Sequence, residues 1–442
     1  MDTSLYIGID IGKRSHYAAF LSKSLLKKHK KHDACPTAKV DASREGFVKL
    51  LQSMTVYAPA DQCHILLEST GHYGRAIEQF LQEAGCNLYR IQGQKRYSAN
   101  KTDKSDAQAL AALLYNQVGL HVINVDEKTR IAPLVAPGDT ARQLRGLVQH
   151  RSELVHESTQ RKNKLTALCD ELFPEMTSIY ADPNSPSALT MRAKYPTPGA
   201  IMNADIDQLC ATRLRSRPSR DQLIALQELA TATIGTHDES RIASLILQQG
   251  QLIAELNLLT SHIAALDETI SASISQSREG QILTSFNGIG PVQAAALLSG
   301  IGSIANFESA GKLRGYMGWA PRRTQTGTSI DSTTLNKSGN ALLKQTMYLV
   351  VMNAIQHDET WKALYTRMVE KKCAYDAKSG KYKGRMKVLG HVAGEMIEIM
   401  YVLLRKDYDL LSALQDGQTP PAPQLYDPLR HHQLTPANSN SK

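Results

Sequence analysis

In the first 115 residues short apolar runs alternate with stretches of helical spacing, in an order that leaves few folds open. Leu5–Ile11 is a β-rich run broken by Gly12-Lys13-Arg14, and Ser15–Leu21 reads as a second strand, so the pair suggests a hairpin. Lys23–His32 is strongly basic, and Thr37–Val40 reads as a third strand. From Ser43 to Met54 the apolar spacing turns helical. His64–Leu67 is a short buried strand that ends at Glu68. A helix is expected from about His72 to Ala84, stopped by Gly85, then a strand over Asn87–Ile91. A basic loop with Lys95 and Arg96 leads to a helix over Thr102–Tyr115.

Three strands, helix, strand, helix, strand, helix is the order of a ribonuclease H-like α/β domain, expected over residues 1–125. Beyond it, Asp139–Leu172 becomes a long amphipathic helix with Leu144, Leu147, Leu154, Leu165 and Leu168 among its apolar positions. Gln249–Ile274 has the same character, through Leu252, Ile253, Leu256, Leu259, Ile263 and Leu266. Two such helices pair as an antiparallel hairpin or coiled coil. The prolines between them mark 176–248 as a small helical insert, giving a linker unit over 126–280. Residues 281–412 form a third, mostly helical unit. The stretch 413–442, rich in Pro, Gln, His and Asn with little to bury, is expected to be disordered.

A chain of 442 residues is too long for one ordinary core, which agrees with several units. Its formal charge of +9 favours a polyanionic partner. The six cysteines are scattered with no Cys-x-x-Cys pair, so the chain reads as reduced and cytoplasmic. No signal peptide is apparent, and no apolar run reaches the roughly 18 to 20 residues that span a bilayer, so no membrane partner is expected.

The chemistry lies in four carboxylates. Asp10 sits in Ile-Gly-Ile-Asp-Ile-Gly on the first strand, and Glu68 ends the strand Ile-Leu-Leu-Glu. Asp103 and Asp106, in Lys-Thr-Asp-Lys-Ser-Asp-Ala, share one helix face by their i,i+3 spacing. In a ribonuclease H-like sheet the first and fourth strands are adjacent and a later helix crosses their ends, so the four would meet. Like charges that close repel strongly unless a cation intervenes. Mg²⁺ suits such oxygen ligands and serves phosphodiester chemistry. Lys101 and Lys104 beside the aspartates suit a phosphate backbone. Each piece alone has a plainer reading: a strand aspartate as a turn residue, an Asp-x-x-Asp pair as a solvated helix face, the lysines as surface charge. The order of all four is the stronger signal. His16, His64 and His72 lie nearby in sequence, His64 as a packed strand residue rather than a metal ligand.

Further on, Gly288-Ile-Gly-Pro291 between helical runs resembles a helix-hairpin-helix, in which Gly288 and Gly290 would expose backbone N–H groups to a phosphate; a simple helix-joining turn is the alternative. Arg322 and Arg323, then Lys371, Lys372, Lys378, Lys381, Lys383, Arg385 and Lys387 interleaved with Tyr375 and Tyr382, form the most basic stretch. That mixture suits backbone contact and stacking on unpaired bases, or simply a solvated loop. Lys27, Lys28, Lys30 and Lys31 carry the same ambiguity.

Taken together, Ile7-Gly-Ile-Asp-Ile-Gly-Lys13, Leu66-Leu-Glu-Ser-Thr-Gly71 and Lys101-Thr-Asp-Lys-Ser-Asp-Ala107 resemble the DEDD transposases of the insertion sequence 110 family, which includes pilin-gene DNA invertases. Gly288–Leu298, then Phe307, Leu313, Gly318-Trp-Ala-Pro321, Asn336-Lys-Ser-Gly-Asn340 and Leu342 resemble that family's C-terminal transposase domain. The resemblance implies a RuvC-like domain binding Mg²⁺, a coiled-coil linker used to form a homo-oligomer (dimer or tetramer), and a nucleophilic serine in the C-terminal domain. It implies recombination of double-stranded DNA under the guidance of a structured bridge RNA, with the serine joined to a DNA phosphate. The family's serine precedes a glycine after the Ala-Pro motif. Here that stretch is Pro321-Arg-Arg-Thr-Gln-Thr-Gly-Thr-Ser329, which puts Thr326 at the serine position. Ser329 is a second candidate, a degraded site a third possibility, and a polar turn before a helix the plain reading of the loop. The reading leans to Thr326.

Other functions compete. Gly8-Ile-Asp-Ile-Gly12 also resembles the first phosphate loop of actin-like sugar kinases, but no second Asp-x-Gly loop or glycine-rich adenosine site follows in a suitable place. A RuvC-like metal-dependent nuclease or junction resolvase would use the acidic domain alone and leave the C-terminal unit without a role. A nucleic-acid-binding relic would keep the fold without the nucleophile.

Overall fold

The computed structural model of the chain describes residues 4–67, 72–92, 102–122, 130–134, 138–214, 217–326, 330–335, 339–415 and 417–430. They fall into two compact units, 1–136 and 137–442.

The first unit is built on a sheet of Leu5–Asp10 (β1), Ser15–Leu21 (β2), Thr37–Asp41 (β3), Cys63–Leu67 (β4), Asn87–Gln92 (β5) and Arg130–Pro133 (β6), in the order β3-β2-β1-β4-β5-β6. β1, β4 and β5 are parallel, and the other neighbours run antiparallel. The parallel centre explains the continuous apolar runs, because both faces are covered. Leu5, Ile7, Ile9, Ile65 and Leu66 have no exposed surface. The helices are Lys23–His29 (α1), Arg44–Thr55 (α2), Arg75–Glu83 (α3) and Asp103–Leu114 (α4).

Two of these elements depart from the sequence pattern. The basic stretch after β2 is the helix α1, started by Ser22, whose hydroxyl accepts the Leu25 N–H at 3.2 Å, and seated by the buried Leu25. β6 closes one edge, where Pro133 is tolerated opposite Tyr89.

The second unit is mostly helical. Asp139–Leu172 (α5) and Glu239–Gln276 (α10) pack antiparallel. Leu168 and Leu172 meet Leu245, Leu165 meets Ile253 and Leu256, and Leu144 and Val148 share a core with Ile270 and Ile274. Ion pairs repeat this alignment along the edge: Arg241 with Glu171 (2.7 Å), Arg161 with Glu255 (3.0 Å), and Arg151 with Asp267. The insert carries Pro186–Lys194 (α6), Pro198–Met202 (α7), Ile206–Cys210 (α8) and Arg220–Thr231 (α9) around Phe173, Met191, Leu209, Leu223 and Leu226. Its buried Arg192 is satisfied without a carboxylate: it donates to the Leu165 carbonyl (2.7 Å), the Pro183 carbonyl (3.1 Å) and Gln249 Oε1 (2.9 Å).

Arg278–Thr284 (α11), Pro291–Ile301 (α12), Ala310–Tyr316 (α13), Ala341–His357 (α14), Glu359–Lys372 (α15) and Arg385–Ala413 (α16) enclose the largest core, with Phe286, Trp319 and Trp361 buried in it. The polar stretch after Ala320 is not a turn leading to a helix. It is an antiparallel ribbon of Pro321–Thr326 (β7) and Ile330–Leu335 (β8). The basic stretch forms a second ribbon, Ala374–Asp376 (β9) with Lys381–Lys383 (β10).

The tail also departs from expectation. Among its described residues, Tyr426 is only 6% exposed and stacks on Phe286 with ring centroids 4.3 Å apart. The Tyr426 N–H donates to Ser285 Oγ at 2.9 Å, and the Pro421 carbonyl accepts from Arg278 Nη1 at 2.7 Å. One large aromatic ring docked on a preformed core is enough to order a segment whose composition suggests disorder.

Candidate active site

The geometry of the acidic residues follows from one close approach. A Cβ placed on Gly8, in the middle of β1, would lie 2.6 Å from Leu110 Cβ and closer still to the backbone of Ala107 and Ala111. Only glycine lets helix α4 lie directly on the strand. Further along, a Cβ placed on Gly119, in the wide turn Tyr115–Gly119 that continues α4, would lie 2.8 Å from Cζ of the Tyr6 ring. The helix therefore runs antiparallel to β1, and its first turn, with Asp103 and Asp106, lies toward the Asp10 end.

That first turn is built by the motif itself. Thr102 Oγ1 accepts the Ser105 N–H at 3.2 Å, and Ser105 Oγ accepts the Thr102 N–H at 3.1 Å, a reciprocal cap that starts the helix. Two acids in the first turn complement the exposed helix N–H groups. Asp103 is exposed, Asp106 is 9% exposed, and Asp10 is partly buried. No described hydrogen-bond or ion-pair partner reaches the Asp106 carboxylate, an arrangement that favours a cation as its counter-charge.

β4 lies beside β1 in parallel, and the pairing Ile9↔Leu67 ends one residue short of Glu68. Glu68 itself lies outside the described residues, as does Lys101. Among the described residues no three His, Cys, Asp or Glu side chains gather closely enough to hold a metal ion. Asp10, Asp103 and Asp106 thus share one end of the sheet without forming a three-ligand cluster by themselves. Their donors are all carboxylate oxygens, the ligand type that Mg²⁺ prefers. Lys104 is exposed beside them.

Two of the nearby histidines, His64 and His16, are packing residues, while His72 is exposed. His64 stacks on Tyr6 (5.1 Å between centroids), and its Nδ1 lies 3.0 Å from the Tyr89 hydroxyl. His16, 1% exposed, stacks on Phe47, and neither ring nitrogen has a partner among the described residues. Burial holds its imidazole below the ordinary range.

In the second unit, Thr326 is the last residue of β7 and pairs with Ile330, while Ser329 lies outside the described residues. The base of the ribbon is fixed. Trp319 is buried with its indole N–H on the Lys344 carbonyl (3.3 Å). Arg314 donates to the carbonyls of Trp319 and Gly390, 3.0 Å each, tying the start of β7 to α16. Burial lowers the pKa of Arg314 and raises that of Glu398, which lies 3.8 Å away. Arg322 is exposed on β7, and Arg323 is its neighbour on the same strand.

Gly288 has a packing role that the sequence did not reveal. It sits at φ +101°, and a Cβ there would lie 2.6 Å from the Ala354 nitrogen on α14. Gly290 is the N-cap of α12. On the β9–β10 ribbon Lys381, Lys383 and Tyr375 are exposed, Arg385 is exposed at the start of α16, and Tyr375 stands edge-on to Tyr382 at 5.1 Å. Asp376 orders the ribbon by pairing with Lys383 at 2.8 Å and accepting the Lys378 N–H at 3.1 Å. Among the described residues, no helix is long and apolar enough to cross a membrane.

Two family models match the chain. The DEDD transposase model of the IS110 type matches residues 7–174, and the model described as Transposase IS116/IS110/IS902 family matches 280–366. The chain is 24% identical to the insertion element IS110 uncharacterized 43.6 kDa protein of Streptomyces coelicolor, over 91% of this chain and 95% of that protein. It is 21% identical to the insertion element IS116 uncharacterized 44.8 kDa protein of Streptomyces clavuligerus, over 91% and 94%. The mini-circle putative transposase for IS117 of S. coelicolor is 24% identical over 73% of this chain and 78% of its own length.

Proposed function

Because the chain belongs to the IS110 family of DEDD transposases, enzymes that act on DNA, we propose that it cuts and rejoins DNA with two sets of residues. Asp10, Glu68, Asp103 and Asp106 hold Mg²⁺, and Thr326 supplies the nucleophile. The strand order of the N-terminal sheet, with β1 beside β4, supports a ribonuclease H-like (RuvC-like) domain. The observation that carries the reading is the seating of α4 on Gly8, which turns the Asp103 and Asp106 end of the helix toward Asp10.

When bound, Mg²⁺ stabilises charge building on phosphate oxygens. The Thr326 hydroxyl attacks phosphorus; its Oγ1–P bond forms as a P–O bond to sugar breaks, and the released sugar oxygen takes a proton. Reversal of the step by a second sugar hydroxyl rejoins the strand and frees the threonine. The end of a ribbon clamped at its base through Arg314 and Trp319 is a suitable place to present a hydroxyl. Ser329 is the alternative nucleophile.

DNA-backbone contacts are assigned to Lys101, Lys104, Arg322 and Arg323, and to the backbone at Gly288 and Gly290. A structured guide RNA is the further partner. The β9–β10 ribbon, with Tyr375, Lys381, Lys383 and then Arg385, suits stacking on unpaired bases flanked by phosphate contacts. The α5–α10 pair is proposed as a coiled coil that joins copies of the chain into a dimer or tetramer.

The test is recombination of a plasmid carrying the element's flanking DNA. Asp10→Ala and Thr326→Ala should abolish joining, while Ser329→Ala should retain it. Normal recombination by Asp10→Ala would refute the acidic site, and a reversed Thr326/Ser329 pattern would move the nucleophile.

A further inference from the structure

We propose that Lys27, Lys28, Lys30 and Lys31 grip the phosphate backbone of duplex DNA alongside the acidic site, a binding surface that rests on the DNA-acting role proposed above. Lys23, these four lysines and His32 are all exposed. Among the described residues no carboxylate pairs with any of the five lysines. A dense patch of unneutralised positive charge is costly to hold together and favours a polyanion as its counterpart.

The segment is built firmly. Ser22 caps α1 and Leu25 anchors it. The turn that follows is held by the Ala34 N–H on the Lys31 carbonyl (3.3 Å) and the Cys35 N–H on the His32 carbonyl (3.3 Å), with Cys35 buried. Its most telling contact is long-range: Gln108 Nε2, on α4, donates to the Asp33 carbonyl at 2.7 Å. Gln108 is two residues past Asp106, about 3 Å of helical rise. The helix that carries the acids therefore also holds the basic segment.

Register gives the spacing. Asp10 pairs with Tyr17 and Tyr6 with Leu21, so α1 starts beyond a point four strand residues from Asp10. That is about 13 Å at 3.3 Å per residue. Base pairs rise about 3.4 Å each, so a duplex held both at the acidic end and at α1 would span at least about four base pairs. A nuclease-type site needs such a hold, because the carboxylates themselves repel the strand they act on.

Lys30 allows a test free of folding damage. It closes α1 in the left-handed region, φ 63°, where glycine is the unstrained choice. Lys30→Gly should keep or raise the melting temperature while weakening DNA binding. The experiment titrates a labelled short duplex with the full chain across a salt series. The slope of log Kobs against log salt changes by about 0.9 for each phosphate that a lysine no longer neutralises. Lys30→Gly should flatten the slope by about 0.9, and Lys27→Gln/Lys28→Gln/Lys30→Gln/Lys31→Gln by up to about 3.6. An unchanged slope in both variants, with wild type steep, overturns this proposal and leaves the transposase reading intact. A wild-type chain with no salt-dependent affinity for duplex DNA overturns both. Loss of binding to an RNA hairpin with unchanged duplex affinity would assign the lysines to RNA and also overturn the proposal.

Discussion

Replacing Gly8 by alanine tests the acidic site without touching an acid. The added Cβ would lie 2.6 Å from Leu110 Cβ and nearer still to the Ala107 and Ala111 backbone, which cannot rotate aside. Restoring an ordinary carbon–carbon separation of about 3.6 Å requires α4 to retreat by about 1 Å. Overpacking of this kind costs about 1–3 kcal/mol, so the unit should still fold. A 1 Å misplacement of reacting groups costs about 10²-fold in rate. Gly8→Ala should therefore melt a few degrees lower yet recombine about a hundredfold more slowly. Gly250→Ala is the control: it lies in α10 with nothing within 4 Å of the added Cβ, and it should stabilise that helix by up to about 1 kcal/mol. Plasmid recombination and thermal unfolding on the same preparations read both effects. A folded Gly8→Ala chain that recombines within a fewfold of wild type would refute the claim that the seating of α4 governs the chemistry.

Burial depresses the His16 pKa, so the neutral ring is favoured in the folded chain; that stability is present above the unfolded value of about 6.5 and is lost as pH falls from there toward the folded value. His16→Phe should flatten the fall in denaturation midpoint between about pH 7 and 5, and an unchanged profile would show that other groups cause it. Tyr426→Ala should destabilise the second unit by about 3–5 kcal/mol in chemical denaturation, since it removes a ring stacked on Phe286; a loss below about 1 kcal/mol would mean that the tail does not pack there. Chelating divalent metal should stop strand joining and Mg²⁺ should restore it, whereas joining that persists in chelator would contradict a metal held by the four acids.

Five of the six strands of the sheet are legible in the sequence because they are short strand-forming runs of the right length, whereas β6, past the expected domain end, is not; α4 is legible because Thr102 and Ser105 form a cap. Gly8 carries a readable signal of its own, since a glycine inside a strand pattern marks a close backbone approach, but the pattern does not say which element approaches. α1 escapes sequence reading because a single buried leucine gives a seven-residue helix no periodicity to detect. The ribbons β7–β8 and β9–β10 escape it for a related reason: their sequences carry no apolar alternation to detect, and cross-strand pairing alone defines them. Tyr426 illustrates a third limit, since its burial depends on Phe286 and Trp361, far away in sequence. Gly288 shows the converse, a motif glycine whose tight neighbour, Ala354, lies on a helix far along the chain.

The two long helices leave from one core and return to it. Leu144 and Ile274 sit in the same cluster, while at the far end the insert is joined on by the Thr236 N–H on the Glu171 carbonyl, 2.9 Å. With 34 residues in α5, the arm spans about 50 Å. An arm with both feet in one place can change length freely. Removing matched turns from the outgoing and returning strokes would keep its seam in phase and leave each globular end intact. Its reach is then a dimension that selection could adjust on its own, setting how far the insert stands from the body that carries Thr326.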